Sequence, residues 1–197
     1  MADSPHTAPP PGDVTFASSY LDDLRSVISG LDPEAIATAI DWMRQTRDGD
    51  GTIFICGNGG SASIASQMVV DIVKGASLRK AARFKMIGLT DSIATITAYA
   101  NDEGYETVFE EPLRNFARPG DLVMGISGSG NSENVLRAMR LAGETGCRTV
   151  GLTTGEGGGL KDLVDLALAV PSSHMGRLED CFFIMTHVLC YAFMEAD

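Results

Sequence analysis

Apolar positions along this chain change their spacing several times, and each change marks an element. From Phe16 onward Tyr20, Leu21, Leu24, Val27, Ile28 and Leu31 recur every three or four residues, one stripe of a helix. Asp32, Pro33 and Glu34 then read as an N-cap, a first-turn proline and a first-turn acid. They open a second helix with Ile36, Ile40 and Met43 on one face, closed by residues 48–51. Residues 52–56 form an apolar run too short for a helix and bounded by glycines, the signature of a strand buried on both faces. The same event recurs at residues 84–89, 121–127, 148–153 and 166–170, each time after a helical or loop segment. Strands alternating with helices predict βαβ units and a parallel sheet. Residues 91–117, the longest break between strands, read as two helices flanking Asn101, Asp102, Glu103 and Gly104. The last segment, about residues 176–195, is a long apolar helix expected to be buried in the domain or against another subunit.

Composition adds limits to this pattern. Residues 1–12 hold four prolines and almost nothing apolar, so a loose tail is expected over residues 1–14, ahead of one domain spanning 15–197. A hydrophobic fraction of 44% is enough for a real core, which excludes general disorder. The 26 acidic against 15 basic side chains give a net charge of −11, which argues against a reader of nucleic-acid backbone. No apolar stretch is long enough to span a bilayer and no basic, then apolar, leader opens the chain, so neither membrane insertion nor secretion is expected. Cys56, Cys147, Cys181 and Cys190 form no CxxC pair and read as reduced core residues of a cytoplasmic protein. Three helices beyond those one sheet needs for cover suggest a homo-oligomer.

In a parallel sheet ligands sit at the carboxyl ends of the strands, so the loops there carry the candidate chemistry. Gly57-Asn-Gly-Gly-Ser-Ala62 satisfies G-x-G-x-x-A between a strand and a helix. A dinucleotide site also wants an acid about 20 residues beyond the glycines. The nearest fit, Asp91, lies some 30 residues on, so no nucleotide cofactor is expected. The loop Ser127-Gly-Ser-Gly-Asn-Ser132 follows one strand and precedes a helix. Its three hydroxyls can curl around a tetrahedral oxyanion while freed backbone N–H groups and the helix N-terminus supply positive potential. This is a phosphate cradle without lysine. The chain has no G-K-[ST], which excludes a Walker loop, and Ser129 stands where a nucleophile elbow needs its last glycine.

Together with Asn101-Asp102 and Leu152-Thr-Thr-Gly-Glu-Gly-Gly158, these two loops closely resemble the sugar isomerase (SIS) domain family. Within that family the chain resembles, from about residue 16 to its end, the phosphoheptose isomerases, which convert sedoheptulose 7-phosphate into D-glycero-D-manno-heptose 7-phosphate. The resemblance implies an α/β fold with a flavodoxin-like five-stranded parallel sheet flanked by helices, extra N-terminal helices, and a tetramer with sites between subunits. Ser61, Ser127, Ser129 and Ser132 would bind the sugar phosphate, with Gly59 and Gly128 in the same loops, Asn58 beside it and Asp102 near the sugar hydroxyls. The family's catalytic acid falls on Asp71, where Glu is usual, and its histidine on His187. Its zinc, or another divalent metal, would draw also on Gln67 and Glu179, where His and Gln are usual. Asp for Glu shortens the reach by about 1 Å in a site where geometry is critical. Gln67 weakens a zinc site and Glu179 adds a charge to it.

The residues agree on a set. Gln67 and Asp71 are four apart on one helix; Glu179 and His187 are eight apart on another, each pair on one face. His187 lies in an apolar run and is expected to be buried with it, whereas His6 and His174 fall outside the chemistry, His174 near enough to line a site mouth. Aldose–ketose interconversion needs a base at carbon and an acid at oxygen, roles open to Asp71 or Glu179 and to His187. The resemblance also covers non-catalytic relatives that bind a phosphosugar or a replication initiator, and isomerases of other ketose phosphates. Ionisable groups at three of the four positions favour an enzyme.

Overall fold

The structure is a computed structural model and describes residues 10–195. Strands β1 (Thr52–Gly57), β2 (Lys85–Gly88), β3 (Leu122–Ser127), β4 (Arg148–Thr154) and β5 (Leu166–Val170) form one parallel sheet in the order β2-β1-β3-β4-β5. This is the flavodoxin-like order, and it reverses between β1 and β3. Gly57 pairs in register with Ile126, and Ser127 with Thr153, so the ends of β1, β3 and β4 stand level and their loops share one crevice.

Side chains alternate along each strand and feed two layers. Ile53 and Ile55 of β1, with Leu122, Met124 and Ile126 of β3, pack against helices α2 (Pro33–Asp48), α3 (Gly60–Val70) and α8 (Met175–Glu195). Phe54, Cys56 and Val123 face the opposite layer, which holds α5 (Glu110–Phe116), α6 (Glu133–Thr145) and α7 (Gly158–Leu163). Helix α4 (Ile93–Asp102) covers the edge of that layer through Ile96 and Tyr99. The N-cap read at Asp32 is made: its carboxylate accepts from the backbone N–H groups of Glu34 and Ala35. All four cysteines are unpaired and buried. Among the described residues no helix is long and apolar enough to cross a membrane.

Two regions differ from the sequence expectation. Helix α1 (Pro11–Ser29) begins one turn before Phe16, so residues 11–14 are helical rather than part of a tail. Pro11 at the first helical position gives up an N–H that has no partner there. The rest of the expected tail, residues 1–9, lies outside the described residues. The chain also continues helically through Asn101 and Asp102, which form the last turn of α4. Helix α1 buries none of its residues completely; Leu24 and Val27 pack against the core, and polar contacts add to its hold on α8. The Tyr20 hydroxyl donates to Asp180 at 2.6 Å, a bond that raises the phenol above its ordinary range, and Arg177 pairs with Asp23 at 2.5 Å.

Candidate functional site

At the end of β1 the chain turns with no room to spare. A Cβ on Gly57 would lie 2.8 Å from that of Ser61, and Gly59 takes φ +54°, a left-handed conformation that favours glycine. Ser61 opens α3 and is buried. A Cβ on Gly60 would stand 2.5 Å from Glu179 Oε1, so the Glu179 carboxylate from α8 rests on the first turn of α3, where the helix end favours negative charge. Asn58 reaches across the crevice. Its Nδ2 donates to Asn134 Oδ1 at 2.8 Å, Asn134 Nδ2 donates back to Asn58 Oδ1 at 2.9 Å, and the Tyr105 hydroxyl donates to the same Oδ1 at 2.8 Å.

After β3 the cradle closes on itself. Ser127 Oγ and Ser132 Oγ are 3.0 Å apart, and Ser129 Oγ accepts from the Asn131 backbone N–H at 3.2 Å. Gly130, at φ +68°, presses so closely on the Gly157 carbonyl that any Cβ would overlap it. The turn after β4 clamps the loop from behind: Leu160 N–H donates to the Gly130 carbonyl at 2.9 Å and Gly159 N–H to Asn131 Oδ1 at 3.0 Å. A Cβ on Gly128 would lie 3.0 Å from the sulfur of Met175, the first residue of α8. Glu133 begins α6 at the rim of the cradle, yet its charge is met by Arg140 at 3.0 Å and Arg137 at 3.2 Å, which hold its carboxyl below the ordinary range. A cleft of about 440 Å³ opens here, lined by Asn58, Tyr105, Glu106, Ser132, Glu133 and Asn134. A second opening of about 400 Å³ beyond β4 and β5, bounded by Thr154, Glu156 and Ser172, contains none of the expected site residues. Asp102 is exposed, accepts from Asn101 Nδ2 at 2.7 Å, and lines a hollow of its own with Ala98, Tyr99 and Glu103.

The acid and the histidine meet elsewhere. His187 Nε2 lies 3.6 Å from Asp71 Oδ2, while Gln67 Nε2 donates to Asp71 Oδ1 at 3.1 Å. Asp71 begins a single π-helical turn, Asp71–Gly75, that continues α3. The His187 side chain is 48% exposed, not buried as expected, because it stands on the outer side of α8 between Phe183 and Tyr191. Helices α3 and α8 run side by side in the same direction: Gly60 meets Glu179, Asp71 meets His187, and Gly75 presses on Met194. At about 1.5 Å of rise per residue, Asp71 stands about 15 Å along α3 from Ser61, and His187 about 12 Å along α8 from Glu179. The four residues read as one set therefore divide, with Glu179 at the cradle end and Gln67, Asp71 and His187 at the other.

That division decides how a metal fits. Among the described residues no three of His, Cys, Asp and Glu gather closely enough to hold an ion. Asp71 and His187 supply two donors and Gln67 turns its amide N–H, not its oxygen, toward Asp71. This donor set within one chain does not fit a zinc centre.

A family model described as the SIS domain matches residues 19–154, and the chain belongs to that family. A phosphoheptose isomerase of Nitratiruptor sp. is 42% identical over 138 residues, 70% of this chain and 73% of the relative. One of Helicobacter pylori is 37% identical over 167 residues, 85% of this chain and 86% of the relative. The solved phosphoheptose isomerase of Francisella tularensis superposes with a TM-score of 0.87 at 27% identity, covering 94% of this chain and 99% of that one. Within the SIS domain family, the branch is that of the phosphoheptose isomerases.

The sequence reading missed Asn134 and Tyr105. Asn134 follows the last cradle serine by two residues, a proximity that offered a signal; nothing local ties Tyr105 to Asn58, 47 residues away.

Proposed function

We propose that this chain is a sugar-phosphate aldose–ketose isomerase that converts sedoheptulose 7-phosphate into D-glycero-D-manno-heptose 7-phosphate in the cytoplasm. The observation that carries the reading is the Asp71–His187 contact at 3.6 Å on a fold whose crevice holds a hydroxyl-lined cradle. Ser127, Ser129 and Ser132, the backbone N–H groups between them and the start of α6 hold the phosphate. Ser61 and Asn58 border it from the β1 loop. Anchoring the phosphate fixes the reacting carbons, so that proton transfer becomes a positional problem.

In the reaction a base removes a proton from C1 of the ketose while an acid protonates the C2 carbonyl oxygen, giving the enediol. Return of a proton to C2 and loss of one from the C1 hydroxyl yields the aldose, with no net change of protons. Asp71 handles the carbon proton and His187 the oxygen proton. Asp71, Gln67 and His187 of one chain do not by themselves make a metal centre, and these proton transfers are assigned to the side chains alone.

Asp71 and His187 stand about 15 Å along α3 from the cradle of their own chain. A homo-oligomer, read as a tetramer, brings the pair of one subunit to the cradle of another. The half-exposed His187, with exposed Val188 and Tyr191 beside it, and the outward apolar residues Val14, Phe16 and Leu21 of α1 support such contacts. Turnover assayed on a panel of ketose phosphates, with and without a chelator, tests the proposal. Isomerisation of sedoheptulose 7-phosphate is expected, and the chelator arm reads whether a metal assembled between subunits takes part; binding of every sugar without turnover on any would falsify the proposal.

A further inference from the structure

The wall of the cleft beside the cradle has a hydrogen-bond pattern that its own residues leave half used. The Val135 backbone N–H donates to Asn134 Oδ1 at 2.9 Å, and since a peptide N–H can only donate, that amide atom is the oxygen. The other amide atom of Asn134 is then the nitrogen, which donates to Asn58 Oδ1. Asn58 Oδ1 also accepts the single proton of the Tyr105 hydroxyl. Both lone pairs of that oxygen are thus occupied. Asn58 Nδ2 spends one N–H on Asn134 and keeps the other. The Tyr105 oxygen has given its proton away and keeps its lone pairs. Asn134, 3% exposed, locks the arrangement from behind, while Tyr105 is 54% exposed and lines the cleft with Asn58 and Ser132.

We infer that Tyr105 is a specificity-determining residue: its phenol oxygen accepts a hydrogen bond from a hydroxyl of the sugar chain. The free N–H of Asn58 donates to an oxygen of the same substrate, whose phosphate occupies the loop over residues 127–132. A wall offering one acceptor beside one donor suits a polyol, because each hydroxyl both donates and accepts. An inorganic phosphate dianion presents mainly acceptors and gains little from the Tyr105 oxygen. The inference rests on the reading of this cleft as a sugar-phosphate site.

Tyr105→Phe keeps the ring and removes only the oxygen, and the Asn134 lock on Asn58 stays in place. Calorimetry on the full chain with sedoheptulose 7-phosphate and, separately, inorganic phosphate reads the effect. The variant is expected to bind the sugar phosphate about tenfold more weakly and inorganic phosphate within about twofold of the parent. In turnover, KM rises by a similar factor while kcat stays within about threefold. Ser132→Ala serves as the contrast and weakens both ligands. Equal losses on both ligands in Tyr105→Phe, no loss on either, or a parent protein that binds the sugar phosphate no tighter than inorganic phosphate overturns the inference. A parent that shows the expected pattern of binding but never turns the sugar over removes the isomerase reading and leaves the role of Tyr105 standing.

Discussion

At one end of α3 the cradle is made of neighbours in sequence: six consecutive residues, 127–132, carry the hydroxyls, the glycines and the approach to a helix N-terminus. At the other end Asp71 and His187 come from positions 116 apart and meet only because α3 and α8 lie in one register, set by the close approaches of Gly60 to Glu179 and Gly75 to Met194. The cradle is clamped by backbone hydrogen bonds and a positive-φ glycine, whereas in the acid–histidine pair His187 is half open to solvent and Asp71 partly so. A binding element built from local geometry can be rigid in a lone subunit. On the proposed reading, the Asp71–His187 pair on its more open helix face is the part a neighbouring subunit would complete.

The largest effect expected from separating the two ends is that of His187→Ala. Turnover should fall by about 10²–10⁴, the usual worth of a positioned acid or base, while sugar-phosphate affinity measured by calorimetry stays within about twofold. An active His187→Ala variant removes the residue from the mechanism. Next, Gly130→Val forces a side chain against the Gly157 carbonyl at a left-handed φ. It should cost about 2–3 kcal/mol in denaturant unfolding and weaken phosphate binding by roughly a hundredfold, leaving the Asp71–His187 contact intact. The two variants can then be mixed. If cradle and pair come from different subunits, co-refolding His187→Ala with Ser127→Ala in equal amounts should restore about a quarter of the parent rate, since half of each element is intact. No recovery places both elements of a working site in one chain.

The smallest effect concerns the two layers that both ends rest on. Burial pushes the Cys56 and Cys190 thiols up to about 12, and Cys147, helped by the nearby Asp121, to about 11. These thiols stay protonated at neutral pH and should resist iodoacetamide until the chain unfolds, as mass spectrometry can follow. Raised folded values mean that this contribution is present below the ordinary thiol value of 9.0 and is lost as pH climbs toward about 12. Stability measured against pH should therefore decline on the alkaline side.

Strand positions were legible because each is a short apolar run ended by a turn-forming or polar residue, glycines on both sides of β1 and Asp165 and Pro171 on either side of β5; residues 166–170 match β5 end to end. The serine loop was legible for the same reason. The start of α1 was not: four prolines in the first twelve residues suggest a tail, yet Pro11 sits where a helix tolerates it. Helical spacing correctly put Glu179 and His187 on one side of α8, but spacing gives a face and not a height along it. The neighbour on α3 decides the height, so Glu179 meets Gly60 and His187 meets Asp71. Tyr105 carried no sign of its partner, because a hydroxyl-to-amide bond across 47 residues has no local trace.

The sequence by itself determined the alternation of strands and helices, the two glycine loops and the neutral, hydroxyl-lined loop proposed as the phosphate cradle of a chain of net charge −11. Those features depend on neighbouring residues and on backbone conformations that glycine alone permits. Only the tertiary structure decided which carboxylate faces His187, that Asn58 is locked by Asn134, and that a zinc donor set does not close within one chain. Each of those depends on the packing register of helices far apart in sequence, a quantity fixed by many side-chain contacts at once and written in no single segment.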